Sequence, residues 1–288
     1  MFLWAICYPL ITIGIAYAPH LTFAMMRAVM AGVILLGLAL ALGRPFPCGW
    51  KTWTSLAVIG FGATSLGYFG MFHAAEFVAP GIATVIGNSQ PLLAAALAGV
   101  VLGERLTVWG KLGLALGFLG IVVIAAPRLF AGGQESYLVG VGYIVLAALG
   151  ITVSNVMLKR IADTVDPLMA IGAQLLIGSI PLAVIAAVTE DISLIQWSPG
   201  FLFALVGLAV FGSALVFVIW MSVLVEVPLS KANAFSFLLP IFGLTMGLLY
   251  YGESLGWPEL VGSCLALAGV AIVTQKGFAP PTLADIPT

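Results

Sequence analysis

This chain of 288 residues is 62% apolar and 7% charged, with a net charge of −1 and a mean hydropathy of +1.20. Soluble domains carry about a quarter charged residues, so an ordinary water-soluble globule is excluded, and the near-neutral balance gives no reason to expect nucleic acid. Three cysteines without a CxxC pair (Cys7, Cys48, Cys264) and two histidines (His20, His73) do not make a metal centre, and no cofactor is expected.

The chain opens on an apolar run, Met1 to Ala18, without the basic n-region or A-x-A site of a secretory signal, and reads as a retained first membrane span. A helix needs about 20 apolar residues to cross the hydrocarbon core, and continuous rather than alternating apolarity selects helices over a barrel. On that basis ten spans are expected near 1–18, 21–42, 53–75, 80–101, 108–127, 137–158, 167–188, 199–225, 229–250 and 257–275. Polar loops rich in Pro, Gly and charge separate them near 43–52, 128–136, 159–166 and 189–198. A Pro-containing tail, 276–288, is expected to be disordered.

Charge sets the expected orientation. With the N-terminus in the cytoplasm, Arg44, Lys51, Arg105, Lys111, Lys159, Arg160, Lys231 and Lys276 all face inward, leaving Arg128 outside and Arg27 within a span. That bias predicts both termini inside.

Residues 78–125 align without a gap on 227–274 at an offset of 149, with nine identities. Pro91 falls on Pro240, Gly103-Glu104 on Gly252-Glu253, Leu106 on Leu255, Gly113 on Gly262 and Gly120 on Gly269. Hydrophobic bias does not generate matched Pro, Glu and spaced Gly. Two homologous halves, 1–127 and 137–275, follow. Each holds an odd number of spans, so the second is inverted, as in carriers that work by alternating access. Glu104 then faces in and Glu253 out.

Several polar residues sit where hydrocarbon would make them costly. Pro91 and Pro240 bend spans 4 and 9 and are expected to shape a central cavity as gates; static packing is the plainer alternative. Thr84, Asn88 and Pro91 share one helical face, with Gln90 beside it. Asn233, Phe237 and Pro240 share the matching face of span 9, with Ser236 beside it. Interhelical hydrogen bonds are the alternative role for these amides. Tyr68 and Phe72 on span 3, Asn155 on span 6, Gln174 on span 7 and Trp220 with Ser222 on span 8 complete a set suited to an amphipathic solute.

Arg27 is the one charge well inside a span, there to pair with a solute carboxylate or gate the outer mouth; snorkelling or structural pairing is the alternative. His73 and Glu76, three residues apart near the outer end of span 3, are a candidate proton-linked pair, with an ordinary exposed helix end as the plainer alternative. Glu104 and Glu253 read as structural caps at the start of the next helix. Gly110, Gly113, Gly117 and Gly120 on span 5, and Gly262, Ala266 and Gly269 on span 10, predict close helix packing of one against the other, or a dimer seam. The oligomeric state stays open between monomer and dimer. No catalytic residue is expected, since neither HExxH nor GxSxG occurs.

These motifs resemble the EamA family of the drug/metabolite transporter superfamily. The resemblance rests on Pro91 with Gly103-Glu104-Arg105-Leu106, on Pro240 with Gly252-Glu253-Ser254-Leu255, on the glycine-spaced spans 5 and 10, and on Trp4, Pro19 and Arg27 at the start. It covers nearly the whole chain. It implies a multi-pass carrier of the bacterial inner membrane, surrounded by lipid. Helices 1–4 and 6–9 would enclose a central cavity, with 5 and 10 at one side, and a small metabolite such as an amino acid would move mostly outward. A lipid or lipid-linked sugar flippase is the alternative. The second half departs from the first in having Leu175 at the position of Arg27.

Overall fold

The computed structural model describes residues 1–90, 92–93, 107–130, 135–161, 164–219, 238–252 and 255–276. Among them the regular structure is helical. In chain order the helices are α1 (Phe2–Ile15, with a turn at Ile6), α2 (His20–Ala41), α3 (Trp50–Ala74), α4 (Pro80–Gly87), α5 (Val108–Phe130), α6 (Glu135–Ile161), α7 (Pro167–Thr189), α8 (Pro199–Ile219), α9 (Leu238–Tyr251) and α10 (Trp257–Lys276). Six of these, α2, α3, α6, α7, α8 and α10, are long and apolar enough to cross a membrane. Their outward faces carry large apolar side chains such as Val33, Leu40, Val184, Val188 and Phe203, which suit lipid rather than water.

Helix ends follow local chemistry. Pro80, Pro167 and Pro199 each occupy a first turn, where the missing N–H costs nothing. Asp166 accepts from the amides of Leu168 and Met169 at 3.0 and 3.2 Å, and Ser198 from that of Phe201 at 3.1 Å. Gly252 has φ of 60°, the left-handed conformation a helix needs to stop abruptly, which explains why glycine precedes Glu253 in the repeated motif. Glu104 and Glu253 themselves lie outside the described residues, as does Pro91.

Two helices change pitch midway. Gly60–Leu66 of α3 and Gly207–Leu215 of α8 are π-helical. With the 149-residue offset the first segment falls within the second. Widened turns of this kind are uncommon and tend to sit where helices do something besides span.

The helices pair by backbone approach at small residues. A methyl group built on Gly120 of α5 would lie 2.5 Å from the Gly262 carbonyl of α10, and one on Gly262 would lie 2.6 Å from the Gly120 carbonyl. Gly113 and Gly269 repeat the reciprocal contact at 2.9 and 2.5 Å. The expected packing of the fifth glycine-rich helix on the tenth is thus present within one chain. Gly32 of α2 meets Gly172 and Leu176 of α7, and Gly243 of α9 meets Thr84 of α4. Gly62 of α3 meets Gly150 and Ser154 of α6, while Gly207 and Gly212 of α8 meet Leu10 and Cys7 of α1. Exchanging helices 1–5 for 6–10 leaves this list of pairs unchanged.

The start of α2 is held from a distance. Glu190, just past α7, accepts from the amides of Leu21 and Thr22 at 2.8 and 2.7 Å and from the Thr22 hydroxyl at 2.7 Å. Gln196 in the same loop donates its amide to the Tyr17 carbonyl at 2.8 Å. A carboxylate at a helix N-terminus satisfies free N–H groups and opposes the positive end of the dipole.

Candidate functional site

A polar constellation inside the helices surrounds Arg27, which is 3% exposed. Its Nε donates to Ser213 Oγ at 3.2 Å, and Nη2 to the Gly212 carbonyl at 3.3 Å and Cys7 Sγ at 3.6 Å. Cζ stands 4.4 Å over the Tyr68 ring and 6.0 Å from that of Phe72, and the Tyr68 hydroxyl pairs with Ser213 Oγ at 3.3 Å. The site therefore draws on α1, α2, α3 and α8. Gly212 and Ser213 lie in the π-helical part of α8, where the widened turn presents a carbonyl to the guanidinium.

The electrostatics are unusual. A buried guanidinium is ordinarily compensated by a carboxylate. Among the described residues no carboxylate pairs with Arg27, and Nη1 has no hydrogen-bond partner. Neutral acceptors and aromatic faces hold the cation without neutralising it.

Of the other expected cavity residues, Tyr68 and Phe72 are brought to Arg27. Thr84 is buried against α9 and donates back to the carbonyls of Pro80 and Gly81. Asn88 is buried at the end of α4, and its Nδ2 and the neighbouring Ser89 Oγ have no partner among the described residues. Gln90 is half-buried and Asn155 exposed. Gln174 accepts from Thr64 at 2.8 Å, tying α7 to the π-helical part of α3. Trp220, Ser222, Asn233, Ser236 and Phe237 lie outside the described residues, and Pro240 is described only as part of α9.

His73 and Glu76 both turn to His20, which sequence reading had not joined to them. His20 Nδ1 lies 2.7 Å from Glu76 Oε1, and its Nε2 lies 2.9 Å from His73 Nε2. Cys7, Gly212 and Ser213 were missed as well. A glycine and serine side by side in an otherwise apolar span was the available signal.

Helices long and apolar enough to cross a membrane, and a buried cation with no counter-ion among the described residues, define a membrane protein with a polar interior. Comparison with known proteins makes the class specific. The sequence model of the EamA-like transporter family matches residues 1–126 and 138–275, so the chain belongs to that family. A WAT1-related chloroplastic protein of Arabidopsis thaliana is 31% identical over 87% of this chain, which spans 61% of that protein's length. The uncharacterized transporter YvbV of Bacillus subtilis is 30% identical, over 96% of this chain and 90% of its own. A probable amino-acid metabolite efflux pump of Salmonella typhimurium is 26% identical, over 93% and 90%. A crystal structure superposes with a TM-score of 0.68 at 19% identity, covering 94% of this chain and 92% of its own, which establishes likeness of fold. The chain is a multi-pass membrane transporter of a small-molecule solute and not an enzyme.

Proposed function

We propose that this transporter exports a small amphipathic metabolite, an amino acid or a related carboxylate, across the inner membrane by alternating access. The observation that carries the reading is Arg27: a buried guanidinium with an unfilled Nη1 and no protein counter-ion among the described residues, walled by Tyr68 and Phe72. A carboxylate supplies the missing charge and accepts from Nη1, and the aromatic rings receive an apolar side chain. The probable amino-acid metabolite efflux pump of Salmonella supports the same solute class.

The machinery we infer is ten spans in two inverted halves, 1–127 and 137–275, with both termini in the cytoplasm and 276–288 as a tail. Three features support it: the gapless sequence repeat, the π-helical segments at matching places, and helix pairs that survive exchange of the halves. Pro91 and Pro240 would bend the gating helices, and lipid would surround a monomer or dimer. Reporter tags at residues 104 and 253 should be protected on opposite sides of the bilayer; the same side would end the inverted arrangement.

Purified protein in detergent should be stabilised by members of an amino-acid panel, since a ligand that binds the native state raises its melting temperature. Reconstituted vesicles should then show counterflow of the same compounds. A panel that neither binds nor exchanges overturns the reading. Asn88→Ala should remove the ligand-induced shift while changing the stability of the empty protein by less than about 1 kcal/mol, because its Nδ2 has no partner to lose among the described residues. An unaltered shift would return Asn88 to packing.

A further inference from the structure

We propose that His20, His73, Glu76 and Glu190 form a proton-binding site whose occupancy ties the two halves together at the end of the bundle where α2 begins and α7 ends. Three hydrogen bonds run in a row: Phe69 carbonyl to His73 Nδ1 at 2.9 Å, His73 Nε2 to His20 Nε2 at 2.9 Å, and His20 Nδ1 to Glu76 Oε1 at 2.7 Å. The carbonyl can only accept, so each bond in the row must hold one hydrogen, three in all. Two neutral imidazoles supply two, and an ionised Glu76 supplies none. Whatever the tautomers, the arrangement holds one proton beyond the neutral-histidine, ionised-carboxylate set.

That proton joins elements from both halves. His20 belongs to α2 and Glu76 follows α3, whereas Glu190 follows α7, and its Oε1 lies 3.6 Å from the same His20 Nδ1. An imidazole is a stronger base than a carboxylate, so the proton belongs to the rings and, when present, puts positive charge between two carboxylates. Without it, one bond of the row has no hydrogen and the charge between the two carboxylates is gone, which weakens the hold of Glu190 on the start of α2. Glu76 is 40% exposed, so the proton exchanges with water on that side, whereas the Glu190 side chain is 8% exposed and fixed by its three donors. Other titratable groups around the site are Tyr143 of α6, whose ring packs 4.8 Å from that of His73, Tyr17 of the α1–α2 turn, and Asp191, whose carboxylate accepts from the Ser193 amide at 2.9 Å. Among the described residues no Lys or Arg is paired with the four. A proton taken from water on one side thus stabilises the closed arrangement at this mouth, and its loss loosens it. The role as a mouth closure rests on the alternating-access reading; the proton count does not.

The chain has two histidines, so ring-15N labelling of the full protein in lipid nanodiscs reads the site directly. At pH 7 the wild type should show one imidazole protonated on both nitrogens. In Glu76→Gln the amide N–H can donate to His20 Nδ1, the row is satisfied without the extra proton, and both rings should be neutral. Two neutral rings in the wild type, or the same charge state in both proteins, would overturn the proposal. The tie is read from the amides of Leu21 and Thr22. The proton-bound form is the tied one, so their protection, corrected for intrinsic exchange, should be full at pH 6 and fall by about tenfold or more by pH 9 in the wild type, and stay level in Glu76→Gln. Level protection in the wild type, or equal falls in both, refutes the tie even if the carrier transports.

Discussion

Arg27→Met is expected to abolish solute binding while leaving the empty protein as stable as the wild type or more so. Methionine keeps much of the length and apolar stem but removes the donors a carboxylate would use. A lost charge-assisted hydrogen bond costs about 1.5–3 kcal/mol, which is about tenfold or more in affinity. Stability moves the other way because a buried cation with no counter-ion among the described residues is expensive to hold, and an apolar residue of similar volume relieves that cost. Ser213 is not orphaned by the change, since it keeps the Tyr68 hydroxyl at 3.3 Å. Melting curves with and without the amino-acid panel separate the two effects. A variant that melts well below wild type would make Arg27 a structural strut, and one that binds as before would remove it from the site.

Gly120→Val should be among the most damaging substitutions in the chain. The added carbons would push into the Ala266 amide and Gly262 carbonyl, each 2.5 Å from the first of them. Backbone cannot rotate aside as a side chain would, so α5 and α10 must part along the whole seam. Overpacking of ordinary cores costs about 1–3 kcal/mol, and displacing two helix backbones should reach at least the top of that range. Gly37→Ala on α2 provides the contrast, because nothing lies within 4 Å of the added methyl. There the better helix propensity of alanine should stabilise by about 0.5–1 kcal/mol. Denaturation in detergent micelles measures both. Equal effects would mean the seam is not where these helices meet.

What could be read from the chain follows from the range of the interactions involved. Spacing of small residues along one helix is a local pattern, so the contact of Gly113 and Gly120 with Gly269 and Gly262 was predictable from two rows of glycine. Arg27 stood out because one charge in an apolar span needs no partner to be conspicuous. The π-helical stretches were not legible, since an added residue in a turn leaves no periodic mark in a helix that is apolar all round. Nor was the Glu190 cap on α2, which joins positions 168 residues apart. His20 was recoverable: charge-based orientation puts residues 20 and 73 at the same membrane surface, and two histidines at one surface invite pairing. Asn155 shows the opposite limit, because polarity inside a span marked it for the interior while the rotation of α6 leaves it exposed.

The absence of a second arginine has an electrical consequence. If the halves are inverted repeats, Leu175, which is buried, stands in α7 where Arg27 stands in α2, and among the described residues the buried charge belongs to one half. On the proposed reading the unloaded carrier presents a net cation to the transmembrane voltage, whereas the complex with a carboxylate is neutral there. An elementary charge crossing 100 mV does work of about 2.3 kcal/mol, and any part of that field traversed by the guanidinium acts on the empty protein and not on the loaded one. Voltage would therefore govern the return stroke.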